Sequence, residues 1–389
     1  MPLPIPTNMK HLAERNGGID VLRGLAVVLV VIHHVALRVP LAQTGLATIF
    51  PLWLLKAFSG NGRSAVTIFF VISGFLITSH TLKRWGTLSQ LDWRSFYQRR
   101  AARILPCLVT LVVVLSVLDL AQVPDYTIEH TDQSLPRAIL AAFGMHMNWY
   151  EGQTGYLPGG WDVLWSLSIE EAFYIGFPLF CLITAHFSRF RAFMFFCLAF
   201  SMPLSLAALT HASPIWQSKA YLPGMSAIAM GVCSALLAHR VSISRRTALR
   251  SLIGVTGAIV LSSYLINAPF FWNILDSIGA LALTISTAFL LIAFSGGWMA
   301  DYTTRGTKWL RSFGFMSYEI YLSHMFVVFP LMALFRISGG NMYIGWLWFV
   351  PAISLSWILG YGVEHLLSRP ADRWLRDRPK PQVINPATT

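Results

Sequence analysis

The sequence predicts an all-helical membrane protein, a polytopic bundle of about ten transmembrane helices with one short re-entrant or interfacial helix. Three observations carry this. Of the 389 residues 55% are hydrophobic and only 12% are charged, about half the charge of an ordinary soluble domain. Apolar runs recur along the whole chain, each of roughly the twenty residues that cross a hydrocarbon core of about 30 Å. The basic residues fall between those runs in a one-sided pattern.

The runs place spans at 19–39, 64–82, 102–123, 163–186, 193–212, 220–238, 250–267, 273–295, 313–335 and 344–367. Before the first lies a polar, Pro-rich stretch, Met1 to Gly18, with no apolar h-region and no small-residue cleavage site. The first span is therefore expected to direct insertion by itself. The apolar stretch Leu135 to Asn148 is too short to cross comfortably, so it is expected to re-enter or lie at the surface. One membrane domain, 19–367, is thus expected between two tails, 1–18 and 368–389. No loop is long enough for a separate soluble domain, and no internal repeat of the kind found in many transporters is visible.

The ten spans can be tested against charge. They put 23 of the 29 lysines and arginines on one face, including Lys83, Arg84, Arg94, Arg99, Arg100 and Arg103 after the second span. The same face takes Lys10, Arg15, Arg245, Arg305, Arg378 and Lys380. The other face holds Arg38, Lys56, Arg63, Arg137, Lys219 and Arg336, with the acidic run Asp125, Glu129 and Asp132. The positive-inside rule then makes both termini cytoplasmic. Counting Leu135 to Asn148 as a full span would move every later loop across and largely erase the bias. The net charge of +12 therefore reads as orientation in a membrane, and no nucleic-acid partner is expected. Cys107, Cys181, Cys197 and Cys233 all lie within apolar runs without C-x-x-C spacing. They read as packing residues, not as a disulfide framework or metal site.

Ionisable side chains at bilayer depth are costly and usually face the protein interior, so each is a functional candidate. In the first span, Arg23 and His34 are eleven residues apart, about 16 Å of helix rise and within about 20° of one face. His33 points about 80° away. If one histidine works with Arg23, it is His34. The fourth span carries Glu170 to a depth comparable with His34. A carboxylate beside an imidazole fixes its tautomer and raises its basicity, which makes a base and its orienter. A buried histidine can equally be a packed core residue, a haem ligand or a proton-relay station, and Glu170 and Glu171 can simply hold two helices together.

Arg99, Arg100 and Arg103 stand at the mouth of the third span. Their planar guanidinium groups suit phosphate, and they also suit anionic lipid headgroups beside an orientation signal. Gly74 in the second span serves close helix packing, the favoured reading, or close approach of a ligand. Ser317, Tyr321 and His324 recur at spacings of four and three, so they share a face that is either a polar helix seam or a pocket wall.

These segments together resemble the acyltransferase-3 family, integral-membrane O-acyltransferases that modify bacterial surface glycans and related acceptors. The matching text is Asp20-Val-Leu-Arg23-Gly-Leu-Ala followed by His34, then Phe69-Phe-Val-Ile-Ser-Gly-Phe-Leu76 and Arg99-Arg-Ala-Ala-Arg-Ile-Leu-Pro106. Trp165-Ser-Leu-Ser-Ile-Glu-Glu-Ala-Phe-Tyr174 and Ser317-Tyr-Glu-Ile-Tyr-Leu-Ser-His324 complete it. Each block alone is weak, but the five stand in family order from residue 20 to 324.

By position, the resemblance implies His34 and Glu170 as catalytic residues. It implies Arg23, Ser73, Gly74, Phe75, Arg100 and Arg103 as binding residues for an acyl-coenzyme A donor, usually acetyl-CoA. The implied acceptor is a hydroxyl of a glycan or glycolipid such as O-antigen, exopolysaccharide or lipid-linked oligosaccharide. No metal or haem is expected, and the implied location is the bacterial inner membrane, in contact with membrane lipid. Ala172 departs from the polar Gln of many relatives. Some relatives also carry a soluble esterase-like domain, where here Leu366 to Thr389 follows Glu364 and His365. Two rival readings use the same residues. One is a proton-coupled transporter or flippase of glycans through His34, Glu170 and Arg23. The other is a haem protein ligated by His33 or His34 with His324.

Overall fold

The computed structural model describes residues 16–241, 246–267, 276–300 and 306–376. Lys10, Arg15, Arg245, Arg305, Arg378 and Lys380, with most of both expected tails, lie outside the described residues. Every regular element among the described residues is a helix. Helix α1 is Gly17–Ala36, α2 Leu52–Gly60, α3 Gly62–Trp85, α4 Trp93–Leu120, α5 Leu135–Phe143 and α6 Met147–Thr154. After a helical turn at Gly159–Asp162 come α7 Leu164–Ile183, α8 Ser188–Phe200, α9 Met202–Ala207, α10 Pro214–Lys219, α11 Tyr221–Arg240 and α12 Thr247–Ile266. The chain continues through α13 Asp276–Ser295, α14 Lys308–Phe315, α15 Ser317–Ser323, α16 Met325–Ile337, α17 Phe349–Val363 and α18 Arg369–Arg376.

Local chemistry sets the helix ends. The Asn16 side chain caps α1, accepting from the backbone N–H of Gly18 at 3.1 Å and Ile19 at 3.3 Å. Asp92 caps α4 through Arg94 N–H at 3.1 Å. Helix α3 stops at Gly86, whose φ of 76° favours glycine.

Among the described residues eight helical stretches are long and apolar enough to cross a membrane, and a ninth is the pair α15 and α16, bent by 46°. The remaining expected span, 193–212, is divided into α8 and α9 at Ser201. Ser89 donates to Ala185 at one end of α7, whereas Lys219 reaches Asp162 at the other. Residues 185–219 thus run from end to end of the bundle in short helices. Helices α5 and α6 are too short to cross, in line with the re-entrant or surface reading of 135–148.

Helix α3 is the hub, packing on α1, α7, α11 and α13. Its closest approach is to α11. A Cβ on Gly74 would collide with the Ile228 carbonyl, and one on Gly231 would collide with the Val71 carbonyl. Two opposed glycines therefore let the two backbones meet, as small residues do between membrane helices. The residues from 369 to 376, expected as tail, form α18 and pack on α4.

Candidate active site

A cavity of about 830 Å³ opens at the end of the bundle where α3 closes and α4 begins, here called the arginine end. Each wall is one stripe of a helix. Phe69, Ser73, Leu76, His80 and Arg84 line it from α3, and Phe96, Arg99, Arg100, Arg103 and Ile104 from α4. Ser166, Glu170, Glu171 and Tyr174 come from α7, Ser317 and Tyr321 from α15, and Arg23 from α1. Steps of three and four keep each set on a single face. Arg369 reaches the same cavity from the start of α18 and lies over the Phe315 ring at 5.2 Å.

Glu170 anchors the middle of this wall. The hydroxyls of Ser73 and Tyr174 both donate to its Oε1 and touch one another. The Arg100 guanidinium lies 4.2 Å from the centroid of the Tyr174 ring, a cation–π contact. Arg23 is buried and donates from Nη2 to Ser317 Oγ at 2.8 Å. Of the eight expected site residues, the fold brings Arg23, Ser73, Arg100, Arg103 and Glu170 to one cavity. Gly74 and Phe75 turn elsewhere. The helical step of about 100° per residue carries Gly74 round to the α11 backbone, and Phe75 is packed in the core.

His34 is not among the residues that line the cavity. Tyr321 and Ser166 line it, with hydroxyls 2.7 Å apart, and Tyr321 also donates to the Val163 carbonyl at 3.2 Å. The Tyr321 ring lies 6.1 Å from that of His324, and the rings of His324 and His34 meet edge to face with centroids 4.8 Å apart. His324 Nε2 is 3.2 Å from His34 Nδ1. The hydrogen bonds of His34 go to Val30 and His324, and none joins it to Glu170. Depth put the two expected partners at one level, but α3 packs between α1 and α7, and Ser73 on α3 takes Glu170.

Asp162 precedes Ser166 and Glu170 at steps of four residues, next to the same wall. It belongs to a buried ion cluster in which Lys219 Nζ reaches both Asp162 and, at 2.7 Å, Glu151. Burial and the neighbouring Asp162 push the Glu151 carboxyl well above the usual carboxylate range, with Lys219 opposing. Asp162, His80 and Arg369 went unread in the sequence, whereas the pocket-wall alternative for Tyr321 is the one its place in the cavity lining supports. Two signals were available there. Asp162, Ser166, Glu170 and Tyr174 recur every fourth residue, and His80 follows Ser73 by seven. Among the described residues no group of three His, Cys, Asp or Glu side chains is arranged to hold a metal ion.

An all-helical bundle whose cationic cavity gathers five of the expected site residues is consistent with the membrane-embedded acyltransferases that the motifs implied. The family described as the acyltransferase domain matches residues 16–365, and the chain belongs to that family. A provisionally named O-acetyltransferase of Staphylococcus aureus (strain COL) is 34% identical over 170 residues, 42% of this chain and 24% of that protein. O-acetyltransferase OatA of Staphylococcus aureus (strain NCTC 8325 / PS 47) is 32% identical over 179 residues, 45% of this chain and 26% of that protein. The alignments thus span about a quarter of the length of these relatives. No solved structure matches the chain.

Proposed function

We propose that the chain transfers an acyl group, in the first instance acetyl, from acyl-coenzyme A to a hydroxyl of a glycan or glycolipid. One observation carries the reading: a cationic cavity at one end of the bundle is lined by Tyr321, whose ring is 6.1 Å from His324 of the histidine pair. Arg84, Arg99, Arg100, Arg103 and Arg369 surround the mouth, and guanidinium groups grip phosphate through paired N–H donors. The donor's phosphates and nucleotide would sit there, with the acyl arm directed along Glu170 towards Tyr321. The relatives named O-acetyltransferase support acetyl and an oxygen acceptor. On this reading the arginine end is cytoplasmic, which the positive-inside rule supports, and the membrane is the inner membrane of a bacterium.

His34 acts as the base. It removes the proton of the acceptor hydroxyl as the oxygen attacks the thioester carbonyl. The C–S bond breaks, and the thiolate takes the proton back from His34, giving an ester and a free thiol. In the covalent variant the imidazole first takes the acyl group from sulfur and then yields it to the hydroxyl. Either route requires Tyr321 to swing out of the way.

The test is incubation of purified protein with radiolabelled acetyl-CoA, with and without a glycolipid acceptor, joined to mass spectrometry of surface glycans from cells with and without the gene. The reading expects donor consumption and a glycan acetyl, or longer acyl, mass that vanishes with the gene. Label on His34 with donor alone selects the covalent variant. Glycolipid movement across vesicles with no donor consumed would sink the transferase reading in favour of transport.

A further inference from the structure

His324 is an imidazole that the proposed chemistry leaves without a task. It is fully buried and sits at the 46° bend between α15 and α16. Its Nδ1 lies 2.8 Å from the Tyr321 carbonyl and 3.2 Å from that of Ile320. A side chain hydrogen-bonded into the helix's own carbonyl ladder is a recognised cause of such a bend.

Carbonyl oxygens only accept hydrogen bonds, so this nitrogen carries the proton and His324 Nε2 is a bare acceptor. The same logic applies to His34, whose Nδ1 lies 2.9 Å from the Val30 carbonyl and must also carry a proton. That N–H is 3.2 Å from the bare Nε2 of His324. The single Nδ1–H of His34 is thus shared between the Val30 carbonyl and His324 Nε2, and His324 in turn donates to Tyr321. His34 Nε2 is left as the one basic nitrogen of the pair that is not hydrogen-bonded among the described residues.

We propose that His324 is the positioning residue for His34. Together with the Val30 carbonyl it accepts the His34 Nδ1–H, holds the ring so that Nε2 is the base, and shares the charge when His34 takes up a proton. A neutral imidazole does this without adding a second buried charge, which an unpaired carboxylate at the same place would do. His324 also hydrogen-bonds the backbone of Tyr321, so the wall of the cavity and the base are registered by a single side chain. The inference rests on the reading of His34 as the base.

The test has two arms. Solid-state NMR on protein with ¹⁵N-labelled histidine, the His34 signals assigned by their loss in His34→Gln, should find Nδ1 protonated and Nε2 bare in both residues. Two variants then separate hydrogen bonding from packing. His324→Gln offers an amide oxygen close to where Nε2 stood, whereas His324→Leu fills space without an acceptor. His324→Leu is expected to lower kcat roughly 100-fold, the low end of acid–base contributions, with donor KM within about twofold. His324→Gln should stay within about tenfold of wild type. A proton on His34 Nε2 in the wild type overturns the inference even if both variants misfold. A His324→Leu protein with unchanged kcat overturns it as well. Full activity in His34→Gln would instead remove the reading on which it stands.

Discussion

His33 and His34 share a peptide bond and face different neighbours. His33 Nδ1 lies 3.0 Å from the Ser59 carbonyl, and a Cβ on Gly62 would collide with its ring. It pins α1 to the junction of α2 and α3. His34 turns inward to His324. His34→Ala should therefore abolish acyl transfer, by about 100-fold or more, in protein that still accumulates in the membrane. His33→Ala should keep most of the activity and lose some thermal stability. Radiolabel transfer and a melting curve in detergent read the two effects, and a fully active His34→Ala would refute the mechanism. Glu151 supplies a second residue-scale expectation. Its carboxyl binds a proton more tightly folded than unfolded, because burial and Asp162 disfavour its charge. Such a group favours the folded state at acid pH and lowers stability as pH rises through its titration. The melting temperature of wild type should thus fall as pH climbs above the ordinary carboxylate range, and Glu151→Gln should flatten that fall. Lys219→Met, by contrast, strands Asp162 and should cost about 3–5 kcal/mol.

At the scale of single helices, spacing read well and lateral placement did not. Ser73, Glu170 and Arg99, Arg100 and Arg103 of α4 reach the same cavity as Arg23, because a helical repeat fixes which residues share a face. The safer reading of Gly74, packing, holds against Ile228. Pairing His34 with Glu170 did not follow, since depth fixes one coordinate and the packing order of α1, α3 and α7 fixes the other two. His324 satisfies the same depth argument from a different helix. Nor can hydropathy see the break at Ser201 with Pro203 after it, or that Arg369, in a polar stretch resembling a tail, turns back into the cavity. The arginine stripe of α4 yields its own expectation. Arg100→Ala and Arg103→Ala should each remove about 1.5–3 kcal/mol of charge-assisted binding, seen as roughly a tenfold or greater rise in donor KM. The Arg100 change should also lower kcat, since Arg100 touches Tyr174 and through it Glu170. Unchanged donor KM in both variants would place the donor elsewhere.

For the whole molecule the open quantity is direction in the bilayer. Bulky apolar side chains such as Ile183, Leu204 and Ile337 face outward, as lipid-facing positions do. Single cysteines at Thr87, on the arginine end, and at Gln43 and Gln122, on the other, test the orientation in a background lacking the exposed Cys197. An impermeant maleimide should label Gln43→Cys and Gln122→Cys on intact cells and Thr87→Cys only after lysis. The opposite pattern would put the cationic cavity on the wrong side for a cytoplasmic thioester. The contact between Tyr321 and Ser166 has a consequence for the cell as well as for the chemistry. A bore running clear through, with guanidinium groups at one mouth and imidazoles at the other, would short-circuit the ion gradient on which an energised bilayer depends. On the proposed function the joined hydroxyls of Tyr321 and Ser166 would close that route at rest, and each turnover would have to pass its small cargo without letting protons follow.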